Sequence, residues 1–167
     1  KLCEDHSRPV ELRKGVLHEG VFQYVEHNSG KEGKEDLGGA DGGDDRAHTL
    51  VSQVRALAEK GEQCLVFCKS KQECIEAART IADGIKVKPA DQTLEELRYL
   101  EDSRGKDLLT EMLSKGVAYH NADLDWEQRE IIERWFRQGE IKVVCATSTL
   151  AMGINLPARN VFIDPER

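Results

Sequence analysis

Three short stretches carry side chains able to bind or transform a ligand. Lys69-Ser70-Lys71 sets two cations and a hydroxyl directly after the apolar run CLVFC. Where a strand gives way to a helix, the first backbone amides favour an anion such as phosphate. The same residues equally suit a capped helix start with solvated lysines. The second stretch is Tyr119-His120-Asn121-Ala122-Asp123-Leu124. Its histidine can serve as a structural hydrogen-bonding group or as a ligand contact, and no triad can be assigned to it. Asp123 beside it can raise the histidine pKa or cap the helix that follows. The third runs from Ala146 to Pro157, where Thr147, Ser148 and Thr149 crowd the start of a helical turn. Hydroxyls so placed suit phosphate oxygens. Gly153 then frees the backbone to approach a ligand, and Asn155 adds a donor and an acceptor. A hydroxyl-rich cap with a turn ending at Pro157 is the plain alternative.

The elements that must hold these stretches are visible as periodicities. VELRKGVL and VFQYVE read as two short strands joined around Gly20. Residues 27–45 mix glycines with acids around a single large apolar residue, Leu37, and are expected to form a mobile loop. No phosphate-loop pattern occurs there. Leu50, Val51, Val54, Leu57 and Ala58 form a helical stripe that ends at Gly61. CLVFC is a continuous apolar strand of the kind covered on both faces. Ser70 with Glu73 predicts a capping box for a helix with Cys74, Ala78, Ile81, Ala82 and Ile85 on its stripe. Thr93 with Glu96 predicts a second box, before Leu94, Leu97 and Leu100. Leu108, Leu109, Met112 and Leu113 mark a third helix, stopped at Gly116. Asp125 with Gln128 caps a helix presenting Ile131, Ile132, Trp135 and Phe136. Val117–Tyr119, Ile141–Cys145 and Val161–Ile163 are strands, and Ser148–Met152 is a short helical turn. Strands alternating with helices predict an α/β three-layer domain, a mainly parallel sheet with helices on both faces. Ligands gather at the carboxyl ends of such strands, where all three stretches fall.

Composition bounds the rest. The 167 residues carry 24 Lys+Arg against 31 Asp+Glu, a net charge of −7, with 39% hydrophobic residues. This length suits one domain with its own core, expected to span 1–167. The hydrophobic share excludes an acidic disordered tail, and no apolar run reaches the ~20 residues that cross a bilayer. A generic basic nucleic-acid module is disfavoured by the charge. Cys64, Cys68 and Cys74 lack zinc-site spacing, so no metal site is expected, and the cysteines read as buried free thiols. Reduced thiols suit the cytoplasm or the nucleus. The absence of an initiator Met and the DPER ending suggest a segment of a longer protein.

The stretch from Gly116 to Asp164 closely resembles the second RecA-like domain of superfamily 2 helicases. Within them it is most similar to the Ski-two-like group and its archaeal DNA-repair members. CLVFCKSK resembles motif IV, YHNADL with Arg129 resembles the group's HHAGLxxxxR element, and ATSTLAMGINLPAR resembles motif V. RPVELRKGVL looks like the strand that enters this domain. The resemblance implies a motor domain of an ATP-dependent helicase or translocase, with ATP and Mg2+ used by the full-length enzyme. It implies phosphate contacts from Ser70 and Thr147, with Thr149 in the same role. His120 and Ala122 would lie near the nucleic-acid track. Gly153 and Asn155 would face the nucleotide across the cleft to the first RecA-like domain of the same polypeptide. Arg129 would brace its own element.

The implied partner is single-stranded or forked nucleic acid, DNA before RNA, and no membrane. An RNA-processing helicase of the same group and a non-catalytic RecA-like interaction module are the alternatives. The group's second histidine is Asn121 here and its glycine is Asp123, whose carboxylate costs affinity near phosphates and is expected to turn toward the helix cap. The arginine-rich motif VI would fall beyond Arg167, and the Walker residues belong to the first domain. No catalytic set is therefore complete, and this segment alone is expected not to hydrolyse ATP.

Overall fold

The computed structural model describes residues 9–37, 46–147 and 156–163. Where the sequence predicts one domain over 1–167, the chain divides into two compact units, Lys1–Gln53 and Val54–Arg167.

The first unit holds an antiparallel sheet, β1 (Arg13–His18), β2 (Val21–Glu26) and β3 (Glu32–Asp36), in the order β1-β2-β3. Glu19 and Gly20 both have positive φ, 48° and 76°, as a two-residue hairpin turn matched to strand twist requires. Hairpins this short cannot make the crossovers a parallel sheet needs, so these strands form a sheet of their own. β3 lies inside the stretch expected to be a mobile loop. Its pairing with β2 runs through the backbone and needs no apolar side chains. Gly33 sits opposite Tyr24, where a Cβ would come within 2.5 Å of the ring. The missing side chain admits the tyrosine, which stacks on Phe22 at 5.4 Å and receives the Arg13 guanidinium 4.5 Å from its centroid. Residues 38–45 of the predicted loop lie outside the described residues.

Helix α1 (Arg46–Glu59) spans the boundary between the units. The second unit continues with β4 (Cys64–Cys68), α2 (Lys71–Ala82), α3 (Asp91–Arg98) and α4 (Arg104–Leu113). Then follow β5 (Val117–His120), α5 (Trp126–Arg137), β6 (Val143–Thr147) and β7 (Asn160–Ile163). The four strands form one parallel sheet in the order β5-β6-β4-β7. Every residue of β5 and β6 is buried, so both faces of the sheet are covered there, as the apolar runs predict. β7 is an edge strand with Val161 and Ile163 exposed. The helices supply the rest of the core, with Cys74, Ile81, Leu97, Leu109, Met112, Leu113, Ile132 and Phe136 wholly buried. Cys64, Cys68, Cys74 and Cys145 are buried free thiols. Burial, helped by the Glu62 charge, pushes the Cys64 thiol up to about 12.

Two local details depart from expectation. The Thr93–Glu96 box does not form, because α3 starts at Asp91 with Ala90 as its uncapped N-cap. The capping group comes from far along the chain: the Glu140 carboxylate accepts from the Gln92 and Thr93 amides at 2.8 and 3.0 Å, and from the Thr93 hydroxyl. Glu96 pairs instead with Arg134. The sixth strand runs Val143–Thr147, two residues beyond the predicted Ile141–Cys145. Lys142 and Val143 both donate to the Gly116 carbonyl, at 2.9 and 3.3 Å. Gly116 has φ +68°, and a Cβ there would meet Val87 at 2.7 Å, so the sharp entry into β5 requires glycine.

Candidate nucleic-acid interface

Parallel pairing brings the predicted stretches to one edge of the sheet. Cys68 is in register with Thr147, and His120 with Ala146, so the chain leaves β4, β6 and β5 side by side. Ser70, Thr147 and the His120–Asp123 loop therefore share the carboxyl edge. Thr147 is buried at the end of β6. Ala122 is exposed. Thr149, Gly153, Asn155 and the predicted turn Ser148–Met152 lie outside the described residues.

Ser70 is the N-cap of α2, and its Oγ accepts the Glu73 amide hydrogen at 3.1 Å. An accepting hydroxyl keeps its own proton to donate, so capping the helix and binding a phosphate oxygen are compatible here. The reciprocal half of the box is shifted by one residue, since the Glu73 carboxylate takes the Lys69 amide at 3.0 Å. Lys71 forms an ion pair with Asp123. Asp123 therefore does not turn to the α5 cap. That position belongs to Asp125, whose amide donates to Gln128 Oε1 at 3.1 Å in the predicted box. Gln128 reaches on to Ser103 at 3.1 Å, and Ser103 caps α4.

Asn121 stitches this edge together from beneath. It is wholly buried; its amide nitrogen donates to the Lys71 carbonyl at 3.3 Å and its oxygen accepts the Asp123 amide at 3.0 Å. The position where the helicase group has its second histidine thus holds the loop after β5 to the first turn of α2. Short-range sequence reading gives no sign of this, because the two partners lie in separate elements.

His120 is also wholly buried, with Nε2 3.0 Å from Glu133 Oε1. Of the two readings open for Asp123, a raised His120 pKa is not found either. Burial lowers it, and the opposing pull comes from Glu133. A neutral ring carries its hydrogen on Nε2, donated to Glu133. Among the described residues, the buried His120 Nδ1 and Arg129 Nε have no hydrogen-bond partner. Arg129 is half-buried, and its charge adds to the lowering at His120.

A depressed folded pKa has a definite sign in stability. Above the ordinary value of 6.5 the His120 contribution is complete. As pH falls below it, the unfolded chain takes up a proton that the fold resists, and stability drops. Urea midpoints at about pH 7.5 and about pH 5 should therefore show a fall that His120→Gln reduces. Identical falls in both proteins would remove His120 as its source.

Among the described residues, no group of three or more His, Cys, Asp or Glu side chains is arranged to hold a metal. None of their helices is long and apolar enough to cross a membrane.

A parallel four-stranded sheet packed with helices, with hydroxyls and amides collected at its carboxyl edge, has the character of a RecA-like domain. Residues 45–166 match the model described as helicase conserved C-terminal domain, and the chain belongs to that family. It is 36% identical over 176 residues to the ATP-dependent DNA helicase Hel308 of Caldivirga maquilingensis, covering 100% of this chain and 22% of that protein. Against the ATP-dependent DNA helicase Hel308 of Pyrobaculum calidifontis it is 35% identical over 175 residues, with 100% and 23% covered. Against that of Methanocella arvoryzae it is 37% identical over 170 residues, with 97% and 21% covered. The chain spans about a fifth of the length of these curated relatives.

Proposed function

We propose that this chain is the second motor domain of an ATP-dependent DNA helicase that works on single-stranded or forked DNA in repair. The observation that carries the reading is the coincidence of two facts. Relatives named as DNA helicases match along essentially the whole chain, and Ser70 and Thr147 stand at the ends of paired strands where phosphates would be gripped.

In the full-length enzyme, ATP with Mg2+ binds between this domain and a first RecA-like domain, Gly153 and Asn155 facing the nucleotide. Binding closes the cleft and hydrolysis reopens it. The phosphate grip of Ser70 and Thr147 alternates with that of the first domain, and the strand advances. Ala122 lies along the track, with His120 acting from below through the backbone of its loop. Thr149 joins the phosphate grip. Grip through phosphates makes movement largely independent of sequence. The Lys71–Asp123 pair removes one cation from the surface, so hydroxyls and amides carry more of the contact. The work is cytoplasmic in a cell without a nucleus.

Thr147→Ala in the full-length enzyme tests the reading. Strand-stimulated ATPase should fall by about tenfold, the loss expected for one hydrogen bond to a charged group, with ATP affinity nearly unchanged. Unchanged stimulation would take Thr147 off the track. Stimulation by RNA alone, against single-stranded DNA of equal length, would overturn the DNA assignment.

A further inference from the structure

A second surface feature of the Val54–Arg167 unit is unrelated to phosphate. Between α3 and α5 lies a groove of about 340 Å3, lined by Glu96, Tyr99, Leu100, Trp126, Glu130 and Arg134 among others. Tyr99 is 84% exposed and Trp126 67% exposed, the two most exposed aromatic side chains at this surface. Leu100 and Ile131 give the groove an apolar floor. Glu127 and Glu130, three apart on α5, fall on one face of the helix. Among the described residues neither has an ion-pair partner, whereas Glu96 already holds the guanidinium of Arg134.

Three carboxylates against one guanidinium make the groove net negative, and its two aromatic rings present faces that attract cations. A strand of nucleic acid would be repelled. A lysine also brings an apolar stem, but its compact, strongly hydrated ammonium cannot stack flat on the rings. A guanidinium satisfies all the walls at once, because it is planar, stacks on aromatic faces and rides on an apolar stem. The groove's own Arg134–Glu96 pair shows the same chemistry already in place.

We propose that this groove docks an arginine-bearing segment of a partner protein, guanidinium toward Glu127 and Glu130, rings of Tyr99 and Trp126 on either side. The probe is a capped eight-residue peptide of arginine and leucine, with a glutamate-for-arginine counterpart, titrated into isotope-labelled protein and followed by NMR. The arginine peptide should shift the Tyr99 amide and Trp126 indole signals saturably, and its counterpart should not. The double variant Glu127→Gln, Glu130→Gln should weaken binding at least fivefold while the remaining spectrum superimposes, since both side chains are exposed. Equal binding by the variant would overturn the proposal. So would an equal response to the glutamate peptide, or displacement of the peptide by a thymidine oligonucleotide. Signals that move with protein concentration alone would assign the groove to a second copy, and failure of the full-length protein to bind would assign it to another part of the same chain. Either result overturns it.

Discussion

Phe136→Ala should destabilise the second unit by about 3–5 kcal/mol, the usual loss for a large aromatic removed from a packed core. Phe136 is wholly buried on the last turn of α5. The surrounding structure has little freedom to collapse into the space. The Phe136 carbonyl is held by the Gln63 amide nitrogen, which also donates to the Ile141 carbonyl at 2.9 Å. The end of α5 is thereby fixed to the approaches of β4 and β6. Against a total stability of about 5–15 kcal/mol, such a loss is decisive. Both tryptophans, Trp126 and Trp135, belong to α5, so urea unfolding followed by their fluorescence reports on this unit alone. A midpoint shift equivalent to under about 1 kcal/mol would show that Phe136 is not a principal core residue.

Glu140→Ala should cost about 2–3 kcal/mol, more than an ordinary helix cap is worth. One carboxylate serves three donors at the start of α3, and Thr93, which supplies two of them, is wholly buried. Its removal strands polar groups where water cannot replace the lost acceptor. Glu140→Gln keeps an acceptor oxygen and should recover part of the loss. Amide exchange of Gln92 and Thr93 is the local readout. Protection unchanged in Glu140→Ala would mean that the cap contributes nothing.

The sequence disclosed what depends on neighbours in the chain. Apolar runs marked β4, β5 and β6, hydroxyl and amide boxes marked the starts of α2 and α5, and the strand-helix alternation marked a parallel sheet. With those in hand, the three strand ends had to meet at one edge. What stayed hidden was long-range. Nothing in GKEGKED suggests a strand, because β3 takes its stability from backbone pairing and from Tyr24 lying over Gly33. Nothing near Thr93 points to Glu140. His120 and Asn121 are visible as polar residues after a strand, yet their burial depends on α2 and α5 closing over them. The assignment of Asp123 failed for the same reason, since its partner, Lys71, lies on α2, 52 residues earlier in the chain.

The strand order also sets a schedule. β4 is made first among the four strands of its sheet, and its two neighbours, β6 and β7, are made last. Throughout synthesis, and early in refolding, CLVFC has both backbone edges bare and no charge of its own. Non-local pairing of this kind is slow, and short uncharged apolar segments left waiting tend to pair with other chains. Yield on refolding should accordingly fall as protein concentration rises, and aggregation should begin at the strand that later becomes one of the best protected in the molecule.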